Sequence, residues 1–397
     1  MKVLIVTAGS RGDVQPYAAL ALALKAAGHE PVLAAATRSG GIFAGLGFRF
    51  VELDEGPMRL VDNTERRGTL ALVREAMGML SKTFADAWDV ASEGADIVVH
   101  HPGVMVGPHL AERLDVPSVL GAFTPLHVPT AAFPMPLLPS WTPPAFNRIS
   151  YRLVDGISLP YRKLLTQWRA DTLGLPPGRG RQDVVMHAFS EHVVPRPRDW
   201  PATALTTGYW FLPSPEDYVL PQALQDFAKG TTVYIGFGSM TRDDPGRRTE
   251  VVLEAVRLAG VRAILAKGWG GLAAPDLPDN VMMVDQVPHD RLFPFVDAVV
   301  HHGGAGTAAA AAAAGRPQVL CPFLADQPYW GRRMHELGVA PPALPQRGLD
   351  SGELAASIKE ALSRSAAAAA LGERIRAEDG TGKAVHALER LCPTSGR

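Results

Sequence analysis

The chain alternates short apolar runs with stretches of helical spacing, separated by Gly- and Pro-containing turns. Residues 2–7 are a short, branched apolar run that reads as a buried strand, and 17–27 follow with Leu20, Leu22 and Leu24 at helical spacing before a stop at Gly28. Residues 31–36, 48–53, 96–99 and 116–120 predict further strands, and 70–92 and 107–114 predict helices. The alternation argues for a parallel sheet with helices on both faces. It breaks at residues 121–144, a proline-rich but apolar stretch holding Phe123, Phe133, Met135, Leu137 and Trp141. Such a stretch suits either a packed connector or the wall of a cleft for an apolar molecule.

Residues 147–173 are again helical in spacing, 184–186 read as a strand, and 193–201 are rich in Pro and Arg. Strand–turn–helix alternation restarts after residues 209–217, with strands expected at 231–237, 262–266, 281–285 and 318–321. Helices are expected at 247–259, 290–295, 328–337, 354–364 and 384–391. The organisation is therefore α/β: two doubly wound Rossmann-like domains. They cover 1–208 and 223–397, joined by a linker at 209–222, with the last helix a candidate to cross back to the first domain.

Within the second half, residues 299–314 carry the clearest ligand signal. Short branched residues run into His301-His302, then Gly303-Gly304-Ala305-Gly306-Thr307, then alanines. Strand, tight loop and helix in that order offer the N–H groups and positive dipole end of the helix to an anion. Close helix–sheet packing is the alternative use of such a turn. The spacing is neither G-x-G-x-x-G nor a P-loop, which removes support for hydride transfer and ATP hydrolysis.

Basic and acidic residues nearly balance, 39 against 40. No basic stripe points to nucleic acid, and none points to a charged membrane surface. Cys321 and Cys392 form neither a metal spacing nor a disulfide framework. The apolar run after Met1 is too short for a signal region, so a cytoplasmic protein without stable membrane insertion is expected.

Ligands of open parallel sheets bind beyond the carboxyl ends of strands. The loops expected there are 9–13, 238–239, 301–304 and 326–327. Asp13 is the candidate general base, although its position also suits a first-turn acid of a helix. Ser10, Arg11 and Gly12 are candidate donor contacts beside it. Ser239 offers a hydroxyl to a phosphate, or closes a plain turn. Asp326-Gln327 suits vicinal sugar hydroxyls, or a capped helix start before Pro328. His100-His101 could pair with Asp13, and Asp243-Asp244 reads as a solvated loop rather than a metal site.

Taken together, the chain resembles the GT-B-fold nucleotide-sugar glycosyltransferases, closest to the branch of sterol glucosyltransferases and actinobacterial antibiotic glycosyltransferases. The resemblance rests on GSRGDVQP (9–16), GYWF (208–211), YIGFGSM (234–240), VPHDRLFP (287–294), HHGGAGT (301–307) and PFLADQPYWGRR (322–333), in that order. It implies two domains facing across a cleft and an inverting transfer with no required metal or cofactor. The co-substrate would be a UDP or TDP sugar and the acceptor a hydroxyl of a lipophilic natural product, such as a sterol or polyketide aglycone. By position, His301 matches the phosphate-binding histidine, and His302, Gly303, Gly304, Ala305, Gly306 and Thr307 complete the cradle. Ser239 matches a second phosphate contact, Gln286 and Val287 lie where the base is held, and Asp326 and Gln327 match the sugar-hydroxyl pair. Asp13 matches the base of the antibiotic branch, where the plant enzymes use a histidine. Ala309 stands where the plant motif has a ribose-binding glutamate. Phe123, Phe133, Met135, Leu137 and Trp141 are the expected acceptor wall. A non-catalytic nucleotide-sugar-binding homologue would be expected to lose Asp13 or the Asp326-Gln327 pair, and an epimerase would have no use for an apolar wall.

Overall fold

The computed structural model describes residues 1–37, 40–43, 45–54, 69–139, 141–157, 159–237, 245–267 and 277–392. The chain divides into two compact units. The first comprises Met1–Phe189, Arg196–Leu212 and Asp379–Arg397, and the second comprises Ser190–Pro195 and Pro213–Glu378.

Among the described residues, unit 1 is built on seven parallel strands: β1 Lys2–Ala8, β2 Glu30–Ala36, β3 Arg49–Glu52, β4 Ile97–His100, β5 Ser118–Ala122, β6 Val184–His187 and β7 Ala204–Thr206. Their order is β3-β2-β1-β4-β5-β6-β7. Side chains alternate between faces along a strand, so β1 serves two cores. Val3 and Ile5 pack with Tyr17, Leu20 and Leu24 of the helix Arg11–Ala26 and with Val385 and Leu388 of the final helix Gly380–Leu391. Leu4 and Val6 pack with Phe84, Val90, Leu110 and Trp168 on the other face.

Among the described residues, unit 2 holds five parallel strands: β8 Thr232–Gly236, β9 Arg262–Ala266, β10 Val281–Val284, β11 Ala298–His301 and β12 Gln318–Leu320, in the order β10-β9-β8-β11-β12. Val233 and Ile235 face Val252, Val256, Leu354 and Ile358 of the helices Pro245–Ala259 and Ser351–Leu362. Tyr234 faces Leu292, Phe293 and Ala311.

Both sheets are doubly wound and reverse direction once. The reversal falls between β1 and β4 in unit 1 and between β8 and β11 in unit 2. Where connections leave in opposite directions a crevice opens beyond the strand ends, which is where open α/β sheets bind ligands.

Several elements differ from the sequence reading. The expected helix 147–173 is three helices, Asn147–Ser150, Arg152–Ile157 and Arg162–Asp171; Pro160, which cannot continue a helix, lies between the last two. The helices Gln222–Phe227 and Ser365–Arg376 and the strand β7 were not expected. Trp210, placed in the linker by sequence, is buried in the unit 1 core, where its indole donates to Thr207 Oγ1 at 3.0 Å. The final helix packs in unit 1 against Arg11–Ala26, and His29 Nε2 meets Glu389 Oε1 at 3.0 Å. Among the described residues no helix is long and apolar enough to cross a membrane.

Candidate active site

In unit 1 the crevice lies beyond the ends of β1 and β4. β1 ends at Ala8, and Gly9 follows with φ +135°, a backbone that disfavours side chains. A Cβ there would come 2.3 Å from Asp13 Oδ2, so the glycine is also needed to admit the carboxylate. Ser10 is the N-cap of the helix Arg11–Ala26, and Asp13 occupies its third position. Asp13 Oδ2 accepts from the Ser10 backbone N–H at 2.8 Å and from the Ser10 hydroxyl at 2.9 Å. The capping role open from sequence is therefore real, and it uses one oxygen. Ser10, Arg11 and Gly12 are exposed at the helix start.

The other oxygen, Asp13 Oδ1, lies 4.0 Å from His101 Nε2. His101 is the first residue after β4, and the sheet order brings it beside Asp13. Its Nδ1 accepts the Gly103 N–H at 3.0 Å. An accepting Nδ1 carries no proton, so in the neutral ring the proton is on Nε2, toward Asp13. The imidazole stacks on Phe123 (centroids 5.9 Å apart) and meets the edge of Tyr17 (6.0 Å). Burial lowers the His101 pKa, and the Asp13 charge opposes that shift. Tyr17 OH donates to the Gly121 carbonyl at 2.7 Å; burial first and Asp13 second push its pKa well up. His100 is inward-facing and structural: its Nε2 meets Ser118 Oγ at 3.2 Å, and burial depresses its pKa to about 3.

The stretch after β5 is ordered by polar ties. Met135 N–H donates to Ser150 Oγ at 2.9 Å, and Asn147 Nδ2 donates to the Ala131 carbonyl at 2.9 Å. Of the expected acceptor wall, Phe123 and Phe133 are half-buried, Met135 is buried, and Leu137 and Trp141 are exposed. Phe123 contacts the Asp13–His101 neighbourhood through the rings of His101 and Tyr17.

In unit 2, β11 runs into His301 and the turn. His301 is fully buried. Its Nε2 meets Gln318 Oε1 at 2.9 Å, and its Nδ1 accepts the Gly303 N–H at 3.1 Å. Gln318 Nε2 donates to the Ala308 carbonyl at 3.3 Å, so the amide oxygen faces the ring and His301 Nε2 is the donor. Both ring nitrogens are thus engaged within the protein, and burial depresses the pKa to about 3. His302, on the alternate side of the strand end, is only partly buried. Its pKa is lowered by burial, while the Asp326 charge pulls the other way. A Cβ on Gly304 would come 2.5 Å from His302 Nε2, so the ring lies over that glycine.

Gly304 is the N-cap of the helix Ala305–Ala313, with extended backbone, no side-chain cap and no acid in the first turn. First-turn N–H groups have no partner within the helix. Ala305, Gly306 and Thr307 carry them here. Gly303 has φ +93°, and a Cβ on it would meet the Gln327 carbonyl at 3.2 Å, so the turns after β11 and β12 are packed together. Ala309 is buried in the helix.

After β12, Ala325 adopts the left-handed region at φ +58°. Gln327 is buried, and its Oε1 accepts from Phe323 N at 2.7 Å and Leu324 N at 3.1 Å. Asp326 Oδ2 accepts from Trp330 Nε1 at 2.9 Å. Each side chain therefore shapes the start of the helix Gln327–Glu336. Gln286 is exposed and Val287 half-buried just after β10. Ser239, Asp243 and Asp244 lie outside the described residues. Among the described residues no cluster of three His, Cys, Asp or Glu side chains could hold a metal.

Of the pair His100-His101 that could meet Asp13, the adjacency of β1 and β4 brings His101 beside it, while His100 turns to Ser118.

Each unit carries a crevice at its switch point, one acidic and one an uncapped helix start, and the two parallel-sheet α/β units have the arrangement of the GT-B fold. A sequence profile described as the erythromycin biosynthesis protein CIII-like C-terminal domain matches residues 264–383. The chain is 35% identical to a sterol 3-beta-glucosyltransferase of Glomerella lagenarium over 98% of its own length and 28% of that protein's. It thus spans under a third of that relative. Among solved structures it is similar to the glycotransferase of kitacinnamycin, with a TM-score of 0.74 at 19% identity, covering 99% of each chain. It is also similar to the glycosyltransferase VinC solved in complex with DTDP, with a TM-score of 0.71 at 21% identity, again covering 99% of each chain. The resemblance read from the sequence to sterol and antibiotic glycosyltransferases is borne out.

Proposed function

We propose that the chain is an inverting glycosyltransferase that moves a sugar from a UDP or TDP sugar to a hydroxyl of a lipophilic natural product. Unit 2 binds the donor and unit 1 binds the acceptor. The observation that carries this reading is the contrast between the two helix starts: one already holds the protein's own carboxylate, the other has none.

The diphosphate sits on the first turn of Ala305–Ala313, where the N–H groups of Ala305, Gly306 and Thr307 and the helix dipole offset its charge. His302, rather than His301, is the histidine that donates to it, because both nitrogens of His301 are engaged. Ser239 contributes a second phosphate contact, and Gln286 and Val287 hold the base. Asp326 meets sugar hydroxyls, while Gln327 acts mainly by shaping the turn through its amide oxygen.

Asp13 takes the proton of the acceptor hydroxyl at Oδ1, the oxygen not engaged by Ser10. The acceptor oxygen bonds to the anomeric carbon as the bond to the terminal phosphate oxygen breaks, and the nucleoside diphosphate leaves with its charge on the unit 2 helix. One displacement inverts the anomeric centre. His101 stands beside Asp13, with its Nε2–H on the Oδ1 side at 4.0 Å. The chemistry calls on no metal, because the helix start and His302 supply the positive end.

The test is incubation with UDP-glucose and TDP-glucose against sterols, polyketide aglycones and flavonoid-type phenols, read by mass spectrometry. A glycosylated product of inverted anomeric configuration by NMR coupling is expected. Slow donor hydrolysis with no product from any acceptor, or a retained configuration, contradicts the reading.

A further inference from the structure

The segment 141–163 of unit 1 is packed inside out. Its helical stretch runs through Asn147–Ser150 and Arg152–Ile157, and Tyr151 between them keeps helical backbone. The side turned to the protein is largely polar: Asn147, Ser150 and Tyr151 are buried. Asn147 donates to the Ala131 carbonyl, and Ser150 accepts from Met135 N–H and donates to the Asn147 carbonyl at 2.6 Å. The side turned outward is apolar. Phe146, Ile149 and Leu153 follow a helical stripe, and each is more than half exposed, as is Leu159. Just before them Trp141 is 79% exposed. A soluble surface normally reverses this arrangement.

The same segment is locally basic, which the charge balance of the whole chain conceals and which the sequence reading did not take for a membrane signal. Between 141 and 163 stand Arg148, Arg152, Arg162 and Lys163 against one acid, Asp155, in a chain whose charges otherwise balance. The four cations are exposed. Arg148 also reaches Asp199 at 3.3 Å.

We propose that this face docks peripherally on an anionic lipid bilayer, with Trp141, Phe146, Ile149 and Leu153 entering the headgroup region and the cations meeting anionic headgroups. Exposed aromatic and aliphatic side chains rimmed by Arg and Lys have the composition of interfacial segments. Basic residues near such a surface add electrostatic attraction to anionic headgroups that salt screens. A second copy of the chain fits less well, because a two-fold contact through this face would set its cations against their equals. The face adjoins the stretch proposed to meet a lipophilic acceptor, yet docking stands apart from the transferase reading, since it is measured without substrate.

The test is flotation of the full chain with vesicles of phosphatidylcholine alone and of phosphatidylcholine with phosphatidylglycerol. The expected result is binding to the anionic vesicles, weakened by high salt, and little binding to the neutral ones. Trp141→Ser with Phe146→Ser, and separately Arg152→Glu with Arg162→Glu, are each expected to lower the affinity about tenfold or more with an unchanged melting temperature. All four side chains are exposed, so the fold does not depend on them. No binding of the wild type to anionic vesicles overturns the proposal, as does binding that neither variant weakens. A wild-type dimer in light scattering that the Trp141→Ser, Phe146→Ser variant abolishes, without vesicle binding, assigns the face to self-association instead.

Discussion

The two helix starts at the switch points share a glycine at the second helical position and part at the third, where only one carries an acid. In unit 1 the helix Arg11–Ala26 begins Ser-Arg-Gly-Asp, and the acid at its third position folds back onto the N-cap serine. In unit 2 the helix Ala305–Ala313 begins Gly-Ala-Gly-Thr, with no side-chain cap and no first-turn acid. Both present a positive dipole end. The first is answered by the protein's own carboxylate. The second has no acid of its own in the first turn. On the proposed function the same supersecondary unit serves two chemistries, a proton acceptor in unit 1 and an anion site in unit 2, and the choice is made by what stands three residues after the cap.

The largest expected effect comes from removing the carboxylate's charge in unit 1. Asp13→Asn can still accept from Ser10 and cap the helix, but it cannot take a proton. Transfer is expected to fall about a thousandfold, with UDP or TDP affinity unchanged by calorimetry. Near-normal turnover removes Asp13 as the base.

The adjacent histidines of unit 2 should separate binding from stability. His302→Ala is expected to weaken nucleoside diphosphate binding by about tenfold or more, the scale of a lost hydrogen bond to a charged group. His301→Ala is expected instead to lower stability by about 1–3 kcal/mol, because Gln318 Oε1 loses its buried donor. Chemical denaturation and calorimetry on both variants read the two effects separately. An exchange of the two phenotypes reverses the assignment.

A more direct challenge is to give the second helix the acid of the first. Thr307 holds the position equivalent to Asp13. Thr307→Asp should keep or raise the melting temperature through the helix dipole while lowering diphosphate affinity about tenfold. Unchanged affinity means that the anion does not meet this turn.

The smallest effect concerns acid stability. His100, His187 and His301 are held neutral with pKa values near 3 by burial, and His109 and His127 near 4. Unfolding restores the ordinary value of about 6.5, so below that pH the unfolded chain binds more protons. This stability is fully present above pH 6.5 and is lost as pH falls toward the folded values. Four of the five histidines lie in unit 1. Hydrogen exchange between pH 7 and pH 5 should therefore show unit 1 losing protection before unit 2, and the reverse order contradicts these assignments.

Much of the fold was legible because each strand is a short, branched, apolar run closed by a glycine or proline turn, as β1 and β11 illustrate. The helix after residue 365 escaped notice because a run of alanines gives no apolar periodicity. Candidate site residues could be named where a local rule places them, as with Asp13 at a strand–helix junction. Residues whose role depends on strand order were legible only in part. His100-His101 stood as a pair that could meet Asp13, and the place of β4 beside β1 makes His101 the one that does. Likewise, nothing in the dipeptide His301-His302 tells which ring turns inward; the register of β11 against β12, with Gln318 facing His301, decides it.

The central claim is that the uncapped helix start of unit 2 holds the donor diphosphate with no help from a metal or from the unit 1 acid. Its most direct measurement is calorimetric titration of UDP and TDP into the wild type and Asp13→Asn, with chelator and then with magnesium. The account predicts binding of at least one diphosphate with the same affinity in all four conditions. Binding that requires magnesium, or that vanishes in Asp13→Asn, would contradict it.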